Sequence, residues 1–221
     1  MLVKVYGAAV QGVDATIVTI EVNTSRGIKF FLVGLPDAAV KEAQNRVRSA
    51  IKNSGYDFPK SRITINLSPA DIRKEGPVYD LPILIAILKA GNQLPFDIDD
   101  CAFIGELSLD GLVRHVNGVL PMVIRAQKSG IKRVFVPSAN ALESSVVEGI
   151  DVYAVDTVSQ VISHIKGEIT LDPVRFSPAM QNRNQAPLPD FKDVMGQMEA
   201  KYALEIAAAG GHNIIMVGPP G

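Results

Sequence analysis

The sequence has little cysteine, no long hydrophobic run and no signal-peptide pattern at its start. The single cysteine, Cys101, excludes an internal disulfide and is typical of a reducing compartment. The longest uninterrupted apolar run covers residues 83–88, far short of the ~20 residues that a transmembrane helix requires. The first residues alternate like a strand and include Lys4 and Asp14. We therefore expect a soluble, cytoplasmic protein without a membrane partner.

Net charge and metal ligands are also scarce. The formal net charge of the 221 residues is −1, so no overall field attracts nucleic acid or an anionic membrane, and any basic surface must be local. His115, His164 and His212 lack the spacing of metal ligands, and we expect no metal site among them. The length allows one or two domains of ~100–200 residues each.

The periodicity of residues 1–168 predicts an α/β domain. Its first part contains consecutive strands, whereas its later part alternates strand and helix, which favours parallel pairing. Together they predict a mixed sheet. A helix is expected over residues 37–54, with Asp37 as its N-cap and Gly55 as its stop. Residues 80–91 are apolar on nearly every side and predict a helix buried in the domain.

Residues 101–108 and 112–116 predict a short hairpin around Asp110 and Gly111. Residues 169–190 are polar and rich in proline, which is typical of a linker.

A separate segment, residues 191–221, begins with a helix-forming stretch that stops at Gly210 and Gly211. A short apolar strand is expected over residues 213–217. It is followed by Gly218-Pro219-Pro220-Gly221.

These last four residues admit two interpretations. They make an ordinary turn, or they open a P-loop of the pattern G-x-x-x-x-G-K-[ST] between a strand and a helix. In such a loop the lysine neutralises phosphate charge and the hydroxyl holds Mg²⁺. Neither residue follows Gly221.

The context of the four residues carries a family resemblance. The stretch DVMGQMEAKYALEIAAAGGHNIIMVGPPG resembles the start of the AAA+ module of the magnesium-chelatase-like ATPases, whose P-loop opens with Gly-Pro-Pro-Gly. The resemblance implies a chain cut inside a Walker A motif, with Val194 and Gly196 on the adenine side. It implies ATP and Mg²⁺ as cofactors of the full-length protein. We expect this chain to bind neither, because the lysine and the hydroxyl are missing.

The first domain carries a second resemblance. Residues 30–83, FFLVGLPDAAVKEAQNRVRSAIKNSGYDFPKSRITINLSPADIRKEGPVYDLPI, resemble the N-terminal domain of the ComM/YifB family. That family consists of this domain, a linker and a chelatase-like AAA+ core. The resemblance implies a hexameric ATPase that moves along DNA. ComM-type members are associated with branch migration during natural transformation.

That N-terminal domain is similar to the proteolytic domain of Lon proteases, which has the fold of ribosomal protein S5 domain 2. Lon uses a serine activated by a desolvated lysine. The serine turn aligns with residues 76–80, which puts Val78 at the nucleophile position, and the lysine segment puts Leu120 at the base position. The resemblance implies Lon's shape without its chemistry, since losing such a nucleophile costs on the order of 10⁶ in kcat.

A basic cluster is the remaining candidate site. Its members are expected near the solvent face of the helix over residues 37–54 or shortly after it: Lys41, Arg46, Arg48, Lys52, Lys60, Arg62, Arg73 and Lys74. They indicate either a phosphate-contacting patch for DNA or an ordinary solvated face, and Glu42 and Asp71 dilute the charge.

The sequence thus predicts the N-terminal part of a ComM/YifB-type ATPase that acts on DNA. Two alternatives remain. An ATP-dependent Lon-like peptidase requires a serine and a lysine in one pocket, and a chelatase subunit would insert Mg²⁺ into a porphyrin. We expect this chain itself to be a binding or assembly module without enzymatic activity.

Overall fold

The computed structural model describes residues 2–176 and 190–219. The chain divides into two compact units, Met1–Phe176 and Ser177–Gly221. Over those two described ranges, none of the helices is both long and apolar enough to cross a membrane.

The first unit is built on a seven-stranded sheet. Its strands are β1 Leu2–Gln11, β2 Asp14–Ser25, β3 Phe30–Val33, β4 Arg62–Ser68, β5 Cys101–Phe103, β8 Arg133–Pro137 and β9 Asp151–Val155. Their order across the sheet is β3-β4-β2-β1-β5-β8-β9. The pairs β1–β2 and β2–β4 are antiparallel, and the remaining pairs are parallel. The expectation of an α/β domain with a mixed sheet is confirmed.

Five α-helices are assigned in the described part of this unit. They are α1 Ala38–Asn53, α2 Asp80–Ala90, α3 Val119–Lys128, α4 Ala141–Ser144 and α5 Val158–Ile165. The Asp37 side chain accepts a hydrogen bond from the Val40 N–H, so Asp37 is the N-cap of α1 as predicted. α2 is buried along almost its whole length and packs against β1, β2 and α1, because a helix that is apolar all round has no face for solvent.

The predicted hairpin around Asp110 and Gly111 is present but shorter than expected. Its strands are β6 Glu106–Leu107 and β7 Val113–Arg114, which pair antiparallel. Cys101–Phe103 instead joins the main sheet between β1 and β8. The two parts separate at Gly105, whose backbone bonds to Val78 and Leu81 instead of to a strand.

The end of the first unit differs from the predicted linker. Residues 169–176 pack on β9: the Val174 N–H donates to the Val152 carbonyl at 2.8 Å, and Arg175 lies 2.9 Å from Asp151. Residues 177–189 of the predicted linker lie outside the described residues.

The second unit contains a 3₁₀ turn, Phe191–Asp193, and a helix, α6 Met198–Gly210. The strand expected over residues 213–217 is wrong: residues 212–219 have no assigned strand, and Ile215 and Val217 are 86% and 93% exposed. A strand exists only where a neighbour satisfies its backbone groups, and no such pairing is present in the described part of this unit.

Candidate functional site

A cleft of about 640 Å³ opens beside the turn that precedes α2. Three segments supply most of its wall: residues 10–12 at the end of β1 and in the turn after it, residues 73 and 75–79, and residues 115–117. Val78, the predicted position of the Lon nucleophile, lines this cleft. Leu120, the predicted position of the Lon base, is half-buried in the first turn of α3, three residues after the wall segment ends.

Asp37 holds the turn that carries Val78. One oxygen of its carboxylate caps α1, and the other accepts the Gly76 N–H at 3.1 Å. Gly76 has φ 75°, a conformation that favours glycine. The Val78 carbonyl accepts the Gly105 N–H at 3.2 Å. These hydrogen bonds hold the turn that carries Val78, the predicted nucleophile position, and the side chain at that position is inert.

The opposite wall is positioned by Asn140. Its amide oxygen accepts the Val116 N–H at 3.1 Å, and its amide nitrogen donates to the Val116 carbonyl at 2.9 Å. Gly118 follows with φ 75°, and a Cβ there would lie 2.6 Å from Val10 Cγ2. A side chain at position 118 would therefore separate the two walls of the cleft.

The chemistry of the cleft is limited by its lining. The polar side chains among the described residues that line it are Gln11, Arg73, Glu75, Tyr79, Glu106, His115 and Asn117. No serine, threonine, cysteine or lysine is among those lining residues. Tyr79 is buried and burial raises its pKa, so its phenol stays protonated at neutral pH. The cleft therefore has shape and polarity but no activated nucleophile.

Lys74 is close in sequence to this turn, but it does not line the cleft. Its side chain is completely buried, and its ammonium donates to the Pro69 carbonyl and to the Ile72 carbonyl, the latter at 2.7 Å. Burial lowers its pKa, opposed by the charge of Asp71. The interpretation of Lys74 as an exposed DNA contact is therefore wrong, because its charge is used to satisfy the carbonyls of its own loop.

Arg46 is also unavailable to an external ligand. Its guanidinium binds the buried carboxylate of Asp80, with Nε–Oδ2 at 2.6 Å and Nη2–Oδ1 at 3.0 Å. Asp80 also accepts the Leu107 N–H at 3.2 Å. The expectation that Arg46 belongs to a phosphate-contacting patch is corrected by this internal ion pair.

The other basic candidates are exposed. Lys41, Arg48 and Lys52 lie on the solvent side of α1, and the Arg48 guanidinium lies 5.2 Å from the centroid of the Phe58 ring. Arg73 is exposed but paired with Glu75 at 3.3 Å. In the structure Arg48 and Lys60 line a single small cavity, away from the cleft at Val78.

Two basic residues were missed by the sequence analysis. Arg26 and Lys29 lie in the loop between β2 and β3. Each of them lines a different cavity, and Lys60 lines both cavities. Their signal in the sequence is a pair of cations around a glycine, directly before two phenylalanines. That pattern is short and shows no periodicity, so the sequence alone does not indicate that these residues form a site.

The predicted nucleotide residues lie in the second unit. The Val194 carbonyl accepts a hydrogen bond from Lys201, and Gly196 has φ 70°. Gly218 and Pro219 are exposed. Pro220 and Gly221 lie outside the described residues. The nucleotide role of this segment stays a prediction.

Comparisons with known proteins match both units. The family model described as subunit ChlI of Mg-chelatase matches residues 20–140, and the model described as magnesium chelatase, subunit ChlI, matches residues 190–221. The chain is similar to competence protein ComM of Haemophilus influenzae, with 43% identity over 100% of this chain and 44% of that protein. It is similar to the uncharacterised protein YifB of Escherichia coli, with 42% identity over 98% of this chain and 42% of that protein.

The chain therefore spans less than half the length of these two relatives. It is also similar to Lon protease 2 of Bacillus subtilis, with 34% identity over 52% of this chain and 20% of that protein. The resemblance to Lon noted in the sequence thus has a counterpart among known proteins.

Proposed function

Because this chain belongs to the ComM/YifB family of magnesium-chelatase-related proteins, we propose that it is the N-terminal part of a nucleotide-driven protein that acts on DNA. Its first unit is a Lon-like module that binds or assembles and does not cleave peptides. Its second unit begins the AAA+ ATPase module.

The observation that carries the loss of peptidase function is the lining of the cleft at Val78. A Ser–Lys peptidase needs a hydroxyl and a lysine amine in one pocket. Among the described residues that form this cleft, neither a serine hydroxyl nor a lysine amine is present, and Lys74 is buried away from it. The rigid turn at Gly76 and the hydrogen bond between Gly105 and Val78 support a scaffold that has kept its shape.

The exposed basic residues support DNA as the partner. Lys41, Arg48 and Lys52 have no carboxylate within 4.0 Å among residues 2–176 and 190–219. Free cations of this kind bind phosphates and release counterions. The relative named competence protein ComM associates this family with competence, and we infer that DNA is the polymer on which this chain acts.

Nucleotide use belongs to the longer protein in this proposal. Residues 190–221 match the chelatase family model, and Gly218 to Gly221 would be the first residues of its phosphate loop. ATP, Mg²⁺ and hexamer formation would depend on the part that the relatives have beyond the region matched by this chain. Arginine fingers and Walker B carboxylates would have to lie there.

The proposal is tested with the longer protein and with the 221-residue chain in parallel. The longer protein should hydrolyse ATP faster in the presence of DNA, and the 221-residue chain should bind DNA with an affinity that falls as salt rises. The proposal is overturned if DNA leaves the ATPase rate unchanged and the 221-residue chain binds no DNA at low salt.

A further inference from the structure

Two adjoining cavities lie on the surface beside β3 and β4, away from the Lon-like cleft. One has a volume of about 120 Å³ and the other about 420 Å³. Lys60 and Ser61 line both cavities, which therefore form one groove. We define the basic groove by the cations that line it or flank it, namely Arg26, Lys29, Arg48, Lys60 and Arg62.

Arg62 flanks the groove through the register of the sheet. It pairs with Ser25, which lines the larger cavity. Gly27 also lines that cavity, and a Cβ added to it would lie 3.5 Å from the Cβ of Arg62. Cations from three separate segments of the chain thus meet at one place: the loop before β3, α1, and the start of β4.

The charge of the basic groove is not balanced by the protein. Over residues 2–176 and 190–219, no carboxylate lies within 4.0 Å of any of its five cations. No aspartate or glutamate is among the described residues that line either cavity. All five side chains are exposed. Like charges held together repel one another, and a polyanion relieves that repulsion.

Aromatic rings set the orientation of two of these cations. The Arg48 guanidinium lies 5.2 Å from the Phe58 centroid, and the Arg62 guanidinium lies 4.7 Å from the Phe31 centroid. A guanidinium held on a ring on one side offers its other face to a planar group. Nucleobases stack on such faces when they are unpaired, and not when they are enclosed in a duplex.

Ser61 adds an unsatisfied hydrogen-bonding group between the two cavities. Its Oγ is buried and has no hydrogen-bond partner among the described residues. A buried hydroxyl without a partner is unfavourable, and a phosphate oxygen in the groove would accept its hydrogen. This second feature, independent of the charge, would be satisfied by a ligand oxygen that reached the hydroxyl.

We propose that the basic groove binds single-stranded DNA, with phosphates on Arg26, Lys29 and Lys60 and bases stacked on Arg48 and Arg62. The proposal rests on the proposed function, since it names the strand state and the surface for a DNA-acting protein. The smaller cavity has a volume of about 120 Å³, and unpaired bases, unlike those of a duplex, can stack on the guanidinium faces beside it.

The test uses the 221-residue chain and a fluorescein-labelled oligothymidine strand, followed by fluorescence anisotropy over a salt series. R48E/K60E should weaken binding at least about tenfold, because one stacking face and one phosphate contact are lost, and make the log–log salt slope shallower by about 0.7 for the phosphate that Lys60 no longer neutralises. R26E/K29E should act in the same direction with an unchanged thermal melt, because neither side chain forms an ion pair within the described ranges.

The matched control is R125E/K128E on α3, which makes the same change of charge at two exposed positions outside the groove. It should change affinity by no more than about twofold. An equal loss in this control would mean that only overall charge matters and would overturn the groove.

Other outcomes separate this proposal from the proposed function. If oligothymidine binds but neither groove variant weakens its binding, the assignment of the groove is wrong, and the proposed action on DNA is unaffected. If the strand does not bind and duplex does, the single-strand assignment is wrong. If polyglutamate competes as well as oligothymidine, the groove binds acidic polymers in general. If no DNA binds in any form, the failure lies with the proposed function.

Discussion

The guanidinium of Arg46 on α1 and the carboxylate of Asp80 at the start of α2 form a two-point ion pair, with Nε–Oδ2 at 2.6 Å and Nη2–Oδ1 at 3.0 Å. Asp80 is completely buried, and Arg46 is 21% exposed. Asp80 is the last residue of the turn that is predicted to align with the Lon serine turn. The Arg46–Asp80 ion pair connects that turn to α1 and thereby stabilises one wall of the cleft.

Replacing Arg46 with methionine should strongly destabilise the first unit. The change leaves a buried carboxylate without its partner, and losses of about 3–5 kcal/mol are typical of that situation. Urea denaturation followed by circular dichroism at neutral pH measures the difference. Arg48→Met on the same helix is the control, because Arg48 is exposed and has no ion pair in the described part of the chain. A loss of the same size in both variants would contradict a specific role for the buried pair.

The stability deficit of Arg46→Met should shrink as the pH falls. Burial raises the pKa of the Asp80 carboxyl, and hydrogen bonds from Arg46 oppose that rise. Without Arg46 the folded state holds the Asp80 proton more tightly than the unfolded state does, so stability increases as pH falls through the folded pKa. Urea titrations of wild type and variant from neutral to acidic pH provide the comparison. A deficit that does not change with pH, or that also persists in R46M/D80N, would exclude Asp80 as its source.

The 221-residue chain should have no serine-peptidase activity. Val78 and Leu120 are the predicted dyad positions, and the cleft around Val78 has no serine or lysine among its described lining residues. A fluorophosphonate probe followed by mass spectrometry should label no serine above the level of a heat-denatured sample. Labelling of one serine, abolished by changing that serine to alanine, would place a nucleophile outside the dyad positions.

Charge reversal on α1 should weaken duplex DNA binding. Lys41 and Arg48 are exposed and unpaired within the described ranges, and each phosphate contact on duplex DNA contributes about −0.9 to the log–log salt slope. K41E/R48E should therefore reduce that slope by as much as about 1.8. Anisotropy of a labelled duplex over a salt series is the measurement, with R125E/K128E as the charge-matched control. Undiminished binding by K41E/R48E would remove this face from the DNA site.

Mg-ATP should show no measurable binding to the 221-residue chain. The lysine that neutralises the phosphates and the hydroxyl that holds Mg²⁺ come after the G-P-P-G of such a loop, and the sequence stops at Gly221. Isothermal titration calorimetry is the direct check, with the longer protein as the positive control. A micromolar dissociation constant for the shorter chain would indicate a nucleotide site within its first unit.

Several features of the molecule follow from short stretches of sequence. Asp37 and the apolar spacing of the following residues predict α1 and its buried face, because capping and helical periodicity depend on neighbours within a few positions. The all-apolar stretch at α2 predicts its burial for the same reason. The replacements at Val78 and Leu120 are also visible in the sequence, since they need only the alignment of two short segments.

The tertiary structure determines which basic side chains are exposed and unpaired within the described ranges. Arg46 and Lys74 look like Arg48 and Lys60 in the sequence, yet the first two are used inside the protein and the second two line the basic groove. Arg46 meets Asp80 across 34 positions, and local periodicity has no information about contacts over that distance. A strand likewise depends on its neighbours, which is why the apolar residues 213–217 are without strand pairing in the described structure. Short-range physics determined the helices, whereas the pairing and packing of distant segments determined the strands and the site.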